Sequence, residues 1–325
     1  MSDRQQTPPS RLLIYLRLFR LPNVFTAIAD VTMGFLFVRG SLDPLSVYLC
    51  LVVASSLLYT AGMVLNDVCD FAQDLDERPH RPIPSGQIPV KWATWLGCEM
   101  LFVGVGLAWL SGYLITGNDA VAIGWRGGAV ATILVACIVL YDAWLKKTPL
   151  GPIGMGACRF FNVLLAMSVA TWVDENAMWR LGYDESQLMV AGGIGVYIVG
   201  VTWFARNEAK DSSSLQLGLA VMVMIGGMTM LGYYPEFSAK PIRLQPEHWW
   251  PMLLLLLGFT IVRRCFVAVM DPRPEFVQAA VRQCILSLIV LDAAICLTVA
   301  PAFWAVGVLA LLVPTLLLGK WVYST

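Results

Sequence analysis

The chain has 325 residues, of which 58% are apolar and 14% charged, and its 22 basic residues balance its 22 acidic ones. A mean hydropathy of +0.69 excludes an ordinary soluble domain and puts the chain in the membrane class, while the balanced charge argues against a nucleic-acid partner. Eight scattered cysteines without a CxxC pair, and only two histidines, exclude a disulfide framework and a zinc centre; the cysteines read as small buried hydrophobes.

Residues 1–20 are polar, carry four arginines, and read as a cytoplasmic N-terminal segment. No small-residue cleavage site follows the first apolar run, so that run reads as a span and not as a removed signal peptide. Residues 21–322 then read as one transmembrane domain. In the first run, 21–38, Asn23, Thr26 and Asp30 share a helix face. Polar groups inside a span are costly and face the interior, so Asn23 either lines a cavity or makes an interhelical hydrogen bond.

The second run, 45–65, leads directly into Asn66-Asp67-Val68-Cys69-Asp70-Phe71-Ala72-Gln73-Asp74. Asp67, Asp70 and Asp74 stand at i, i+3 and i+7, which on a helix places them within roughly 60° of one another. Three carboxylates so close repel and hold protons unless a cation sits among them. Hard oxygen donors point to Mg²⁺, which binds through a few carboxylates together with substrate phosphates. The motif therefore suggests a diphosphate held at a membrane boundary. Arg78-Pro79 and Arg81-Pro82-Ile83-Pro84-Ser85-Gly86 follow at once.

Further runs long enough to cross about 30 Å of hydrocarbon lie near 92–115, 128–145, 152–172, 188–205, 215–234, 249–269, 283–300 and 302–321. The last two are separated only by Ala300-Pro301, as a tight hairpin or one broken element, which gives nine or ten spans. No β-barrel alternation appears, so the spans are helices. Asp142 ends the fourth run four residues before Lys146 and is placed to pair with it. In the fifth run, Gly151, Gly154 and Gly156 allow close helix approach. Arg159 and Asn162 follow them, and Arg159 alone among the basic residues falls deep in a span. A phosphate or acceptor contact is favoured for Arg159 over a structural ion pair. After the sixth run come Arg206-Asn207-Glu208-Ala209-Lys210-Asp211. Glu208 and Asp211 can add metal-binding carboxylates, and Arg206 and Lys210 can clamp phosphate oxygens; a solvated loop of positive-inside charges is the competing reading. Asp292, in the ninth run, is a packing partner or a site group.

With the N-terminus inside, sixteen Lys and Arg fall on the cytoplasmic side and five (Arg39, Arg126, Arg180, Lys240, Arg243) on the other. That asymmetry supports a cytoplasmic N-terminus in a membrane of the bacterial inner-membrane type, and it brings both polar motifs to the cytoplasmic face.

The stretch from Asn66 to Gly86 resembles the first aspartate-rich motif and following loop of the UbiA superfamily of intramembrane prenyltransferases, whose pattern is N-D-x-x-D-x-x-x-D and then an Arg-Pro-rich segment ending near Ser-Gly. Leu16-Arg17-Leu18-Phe19-Arg20-Leu21-Pro22-Asn23 resembles the opening of the same family. The resemblance implies an all-α, polytopic helical bundle with a central cavity open to the membrane. It also implies Mg²⁺ bridging a prenyl diphosphate, and a prenyl group moved to an acceptor that the sequence does not specify. Asp67, Asp70 and Asp74 would hold the metal, with Asn66 orienting. Arg78 and Arg81 would pair with the leaving diphosphate, and Asn23, Arg159 and Asn162 would line the substrate cavity. The second motif departs from the family, carrying Arg206 and Lys210 where carboxylates are expected. The competing class is a membrane protein that binds or transports an isoprenoid lipid without turnover. Polar clusters at span ends, in place of midplane sites in inverted repeats, favour the enzyme.

Overall fold

In hydrocarbon a backbone has no water to bond, so each span must pair its own amides, and every regular element among the described residues is a helix. The computed structural model describes residues 10–115, 124–170, 181–206, 212–238, 242–244, 248–320 and 322.

Helix α1 (Arg11–Leu18) is capped by Ser10, whose hydroxyl accepts from the Leu13 amide at 3.3 Å. It is followed by α2 (Leu21–Arg39), α3 (Leu45–Cys69), the short α4 (Phe71–Glu77), α5 (Val90–Tyr113) and α6 (Arg126–Ala143). A 3₁₀ turn, Leu145–Lys147, leads to α7 (Gly151–Met167), α8 (Glu185–Ala205), α9 (Ser214–Tyr233), α10 (Trp249–Met270), α11 (Pro274–Val299), α12 (Ala302–Ala310) and α13 (Leu312–Gly319). Nine helices among the described residues are long and apolar enough to cross a membrane, with α12 and α13 counted as one. Helix α7 has 17 residues and reaches about 25 Å.

Helix ends differ from the hydropathy boundaries for identifiable reasons. Ala300 and Pro301 are extended, so α11 and α12 form a tight hairpin. The break between α12 and α13 falls where Pro314 has no amide to give the Ala310 carbonyl. Helix α11 begins at Pro274, ahead of the apolar run at 283, because Glu275, Gln278 and Arg282 interrupt the apolar residues of its first turns.

Helix α2 is innermost and packs on α3, α7 and α11. The peripheral helices α5, α10, α12 and α13 expose apolar side chains such as Phe102, Leu255, Phe259 and Val306, a surface that belongs in lipid and not in water. Close contact between α7 and α8 depends on glycine: a Cβ at Gly156 would lie 2.7 Å from the Gly195 carbonyl oxygen.

Two features set up the ends of the bundle. At one end, Leu18, Val64, Ile83, Ile88 and Ala93 form a small separate core that fixes α1 and the 78–89 loop over the end of α3. Between α1 and α2, Arg20 takes a left-handed backbone (φ 45°) and turns the chain into the first span. At the other end, buried Arg126 donates from Nε to the Ser168 carbonyl at 2.8 Å, from Nη1 to the Gly182 carbonyl at 3.3 Å, and from Nη2 to the Ala170 carbonyl. Its guanidinium lies 4.7 Å from the Tyr183 ring centroid.

Candidate active site

The three aspartates do not sit on one unbroken helix. Asp67 is on the last turn of α3, Asp70 is the junction residue (φ −91°, ψ 3°), and Asp74 lies in α4. Helical hydrogen bonding nonetheless continues through the junction, from the Asp70 amide to the Asn66 carbonyl (3.0 Å) and from the Asp74 amide to the Asp70 carbonyl (2.8 Å), so the one-face spacing is roughly kept.

Every one of these carboxylates meets a cation. Arg81, from the 78–89 loop, donates from one nitrogen to Asp67 Oδ1 at 3.3 Å and to Asp74 Oδ2 at 2.7 Å. Arg20 reaches Asp67 Oδ1 at 2.6 Å, and Lys146 reaches Asp70 Oδ1 at 2.7 Å. Asp67 and Asp74 are buried, which makes these pairs stronger than surface ones. Asn66 donates from its side-chain amide to Asp142 Oδ1 at 2.8 Å, and its carbonyl accepts from Lys146 at 3.4 Å. Asp142 therefore pairs across to α3 and not along its own helix to Lys146. The reason is local: α6 stops at Ala143, and Lys146 belongs to the 3₁₀ turn, so the i, i+4 geometry is lost.

Adjoining this cluster is a mostly apolar pocket, with a cavity volume of about 60 Å³, between α3, α6 and α7. Leu58, Gly62, Met63, Leu134, Ile138 and Met155 form its apolar wall, and Tyr59, Tyr141, Asp142, Arg159 and Asn162 bring polar groups into it. Among the described residues, Asp142 Oδ2 has no hydrogen-bond partner.

Deeper still, Arg159 donates to Asp30 Oδ2 and to the Thr26 hydroxyl, and its guanidinium lies 5.4 Å from the Tyr59 ring centroid. Asn162 donates to Asp30 Oδ2 at 3.1 Å and accepts from the Ser55 hydroxyl at 2.6 Å. Asp292, on α11, is fully buried and faces Asp30. Arg159 is thus both ion-paired and at the pocket wall.

Of the other sequence candidates, Asn23 is half-buried and makes no side-chain hydrogen bond among the described residues, although its carbonyl accepts from Thr26 at 2.7 Å. Arg78 is half-buried and in no ion pair with a described residue. Arg206 is exposed at the end of α8, and Glu208, Lys210 and Asp211 lie outside the described residues. Arg20 and Lys146 join the cluster without any sequence spacing that points to them. Each is more than 45 positions from its carboxylate, and no local rule links residues that far apart.

The fit to a divalent cation can be judged from where oxygens converge. Asp67 Oδ1 and Asp74 Oδ2 meet on one positive nitrogen, and two hard anionic oxygens about one cation position is the donor chemistry Mg²⁺ uses. Asp70 is turned to Lys146, and among the described residues no three acidic, His or Cys side chains close around one point. The residues suit Mg²⁺ with Asp67 and Asp74 as the converging pair.

An apolar chamber inside a lipid-embedded bundle, with carboxylates and guanidiniums gathered at one end, defines a multi-pass membrane enzyme for a substrate with an anionic head and an apolar tail. Comparison with known proteins agrees. Residues 27–213 match the UbiA prenyltransferase family. The chain is 31% identical over 255 residues to the digeranylgeranylglyceryl phosphate synthase of Methanoculleus marisnigri, covering 76% of this chain and 82% of that protein. It is 30% identical over 201 residues to the 4-hydroxybenzoate octaprenyltransferase of Albidiferax ferrireducens, covering 58% and 64%. A solved UbiA homolog from Archaeoglobus fulgidus superimposes with a TM-score of 0.60 at 13% identity, covering 91% of this chain and 99% of that one, and so shares the fold. This chain belongs to the UbiA prenyltransferase family and is a membrane prenyltransferase.

Proposed function

We propose that the protein transfers a prenyl group from a prenyl diphosphate to an acceptor, at the end of the bundle where Asp67, Asp70 and Asp74 meet Arg20, Arg81 and Lys146. The observation that carries this is the Arg81 guanidinium bridging Asp67 and Asp74 beside the apolar pocket. Acidic groups to hold a metal and basic groups to hold phosphate are interleaved there, next to space for the tail.

In the reaction the allylic C–O bond breaks and its electron pair leaves with the diphosphate. The acceptor supplies the electrons of the new bond to the prenyl carbon and gives up a proton. Mg²⁺, when bound to Asp67 and Asp74, supplies positive charge that lowers the cost of the leaving diphosphate. Arg81 and Arg20, drawn off their carboxylates, pair with phosphate oxygens, and bidentate guanidinium contact suits that role. Lys146 and Arg78 add charge from the same end. The apolar pocket wall keeps water from the electron-poor prenyl carbon. The acceptor enters beside Tyr59, Tyr141, Asp142 and Asn162, with Arg159 held in place by Asp30. Arg206 and Lys210 would touch phosphate, and Glu208 and Asp211 would supply further carboxylates. The basic-residue asymmetry supports a cytoplasmic position for this face.

The test is release of diphosphate from a labelled prenyl diphosphate by the purified protein in liposomes with a panel of acceptors. Stoichiometric diphosphate and prenylated product are expected. Tight retention of the labelled lipid with no diphosphate released under any condition would refute the proposal.

A further inference from the structure

A second pocket lies at the opposite end of the bundle, a cleft of about 480 Å³ between the end of α2, the 242–244 segment and the end of α11. Phe37, Val38, Ile242 and Val299 give it apolar walls, and Arg39 and Arg243 give it charge. No carboxylate lines it among the described residues. Neither arginine is in an ion pair with a described residue, and Arg39 Nε is buried without a hydrogen-bond acceptor among the described residues. The segment carrying Arg243 is fixed to the bundle, its amide donating to the Thr298 carbonyl at 2.8 Å.

Few basic residues are available on this side: five by the charge count. Arg126 is spent on backbone carbonyls, and Arg180 and Lys240 lie outside the described residues. The other two share one cleft. A cation in the last turn of a helix is favoured by the helix dipole, but that does not explain Arg39, whose Nε touches no carbonyl. A buried guanidinium nitrogen without an acceptor is costly, and a neighbouring arginine adds repulsion. Arg39 is half-buried and Arg243 exposed, and an anion between them offsets both costs. The apolar walls, at the height where spans end, fit the start of an acyl chain.

We propose that this cleft binds the phosphate of an anionic phospholipid headgroup, held by Arg39 and Arg243 with the acyl chain along Phe37, Val38 and Val299. The site is separate from the prenyl-transfer end and does not depend on that reading.

The test uses the full chain in phosphatidylcholine nanodiscs. Phosphatidylglycerol should bind the wild-type protein, read as retained lipid by native mass spectrometry. The double variant Arg39→Gln/Arg243→Gln should bind about tenfold more weakly or worse, the loss expected from two charge-assisted contacts. Phenylglyoxal modification of Arg39, mapped by peptide mass, should be blocked by phosphatidylglycerol in the wild-type protein, a readout that stands if the variant fails to fold. Protection of Arg39 by glycerol phosphate in pure phosphatidylcholine discs, as strong as that by the lipid, would assign the site to a soluble anion and overturn the lipid assignment. Unchanged phosphatidylglycerol retention by a folded double variant, or no protection of Arg39 by either anion, would overturn the site itself.

Discussion

Asp67→Asn isolates the charge at the centre of the proposed site while nearly keeping its shape. Asp67 Oδ1 is the meeting point of Arg20 (2.6 Å) and Arg81 (3.3 Å). Arg81 keeps its shorter bond to Asp74 (2.7 Å) in the variant, and Arg20, the more exposed partner at 21%, can be rehydrated. The folding cost is therefore modest, about 1–2 kcal/mol, near that of one charged hydrogen bond discounted for water access. The catalytic cost is larger, because one of the two carboxylates that converge on a cation is gone. Losing a preorganised electrostatic contribution costs about a hundredfold or more in turnover, equal to about 2.7 kcal/mol in the barrier. The assay is diphosphate release in liposomes against Mg²⁺ and donor concentration, with thermal unfolding measured on the same preparation. A variant within threefold of wild-type turnover would refute the assignment. A variant too unfolded to assay would refute the partition of costs between folding and catalysis.

Arg126→Lys should lower thermal stability by about 3 kcal/mol, because one ammonium cannot reach the separate carbonyls that the guanidinium fork joins and leaves them unpaired in the interior; a melting curve superimposable on wild type would contradict this. Gly156→Val should destabilise by about 1–3 kcal/mol through overpacking against the Gly195 carbonyl, and turnover should fall with it because α7 also carries Arg159 and Asn162; circular dichroism melting and the diphosphate assay together check both effects. Single cysteines at Ser85 and Asp43 should label from opposite sides of a sealed membrane, Ser85 from the cytoplasm, and labelling of both from one side would remove the topology argument.

The sequence made the helical class and most spans readable, because long apolar runs in lipid permit little else. It failed where structure depends on partners far along the chain. The spacing of Asp67, Asp70 and Asp74 was visible, but not that Arg81 would join two of them while Lys146 claimed the third. The i, i+4 rule proposed Asp142 with Lys146, and the helix ended three residues too soon. Arg159 was noticeable as a charge inside a span, yet its tie to Asp30 links residues 129 positions apart, a distance only the packing of α2 on α7 closes. Hydropathy placed the start of α11 late because Glu275, Gln278 and Arg282 interrupt the apolar residues of its first turns.

The aspartate cluster is its own counterion: three carboxylates face Arg20, Arg81 and Lys146, so the resting mouth of the pocket has little net field. Stray inorganic phosphate finds Arg20, Arg81 and Lys146 already paired with aspartates. The arginines come free for an anion only once their aspartates have another positive neighbour. The mouth behaves as a conditional latch, closed to single ions and opened by a neutral pair of opposite charges arriving together, which would let an enzyme in a phosphate-rich medium keep its site clear between turnovers.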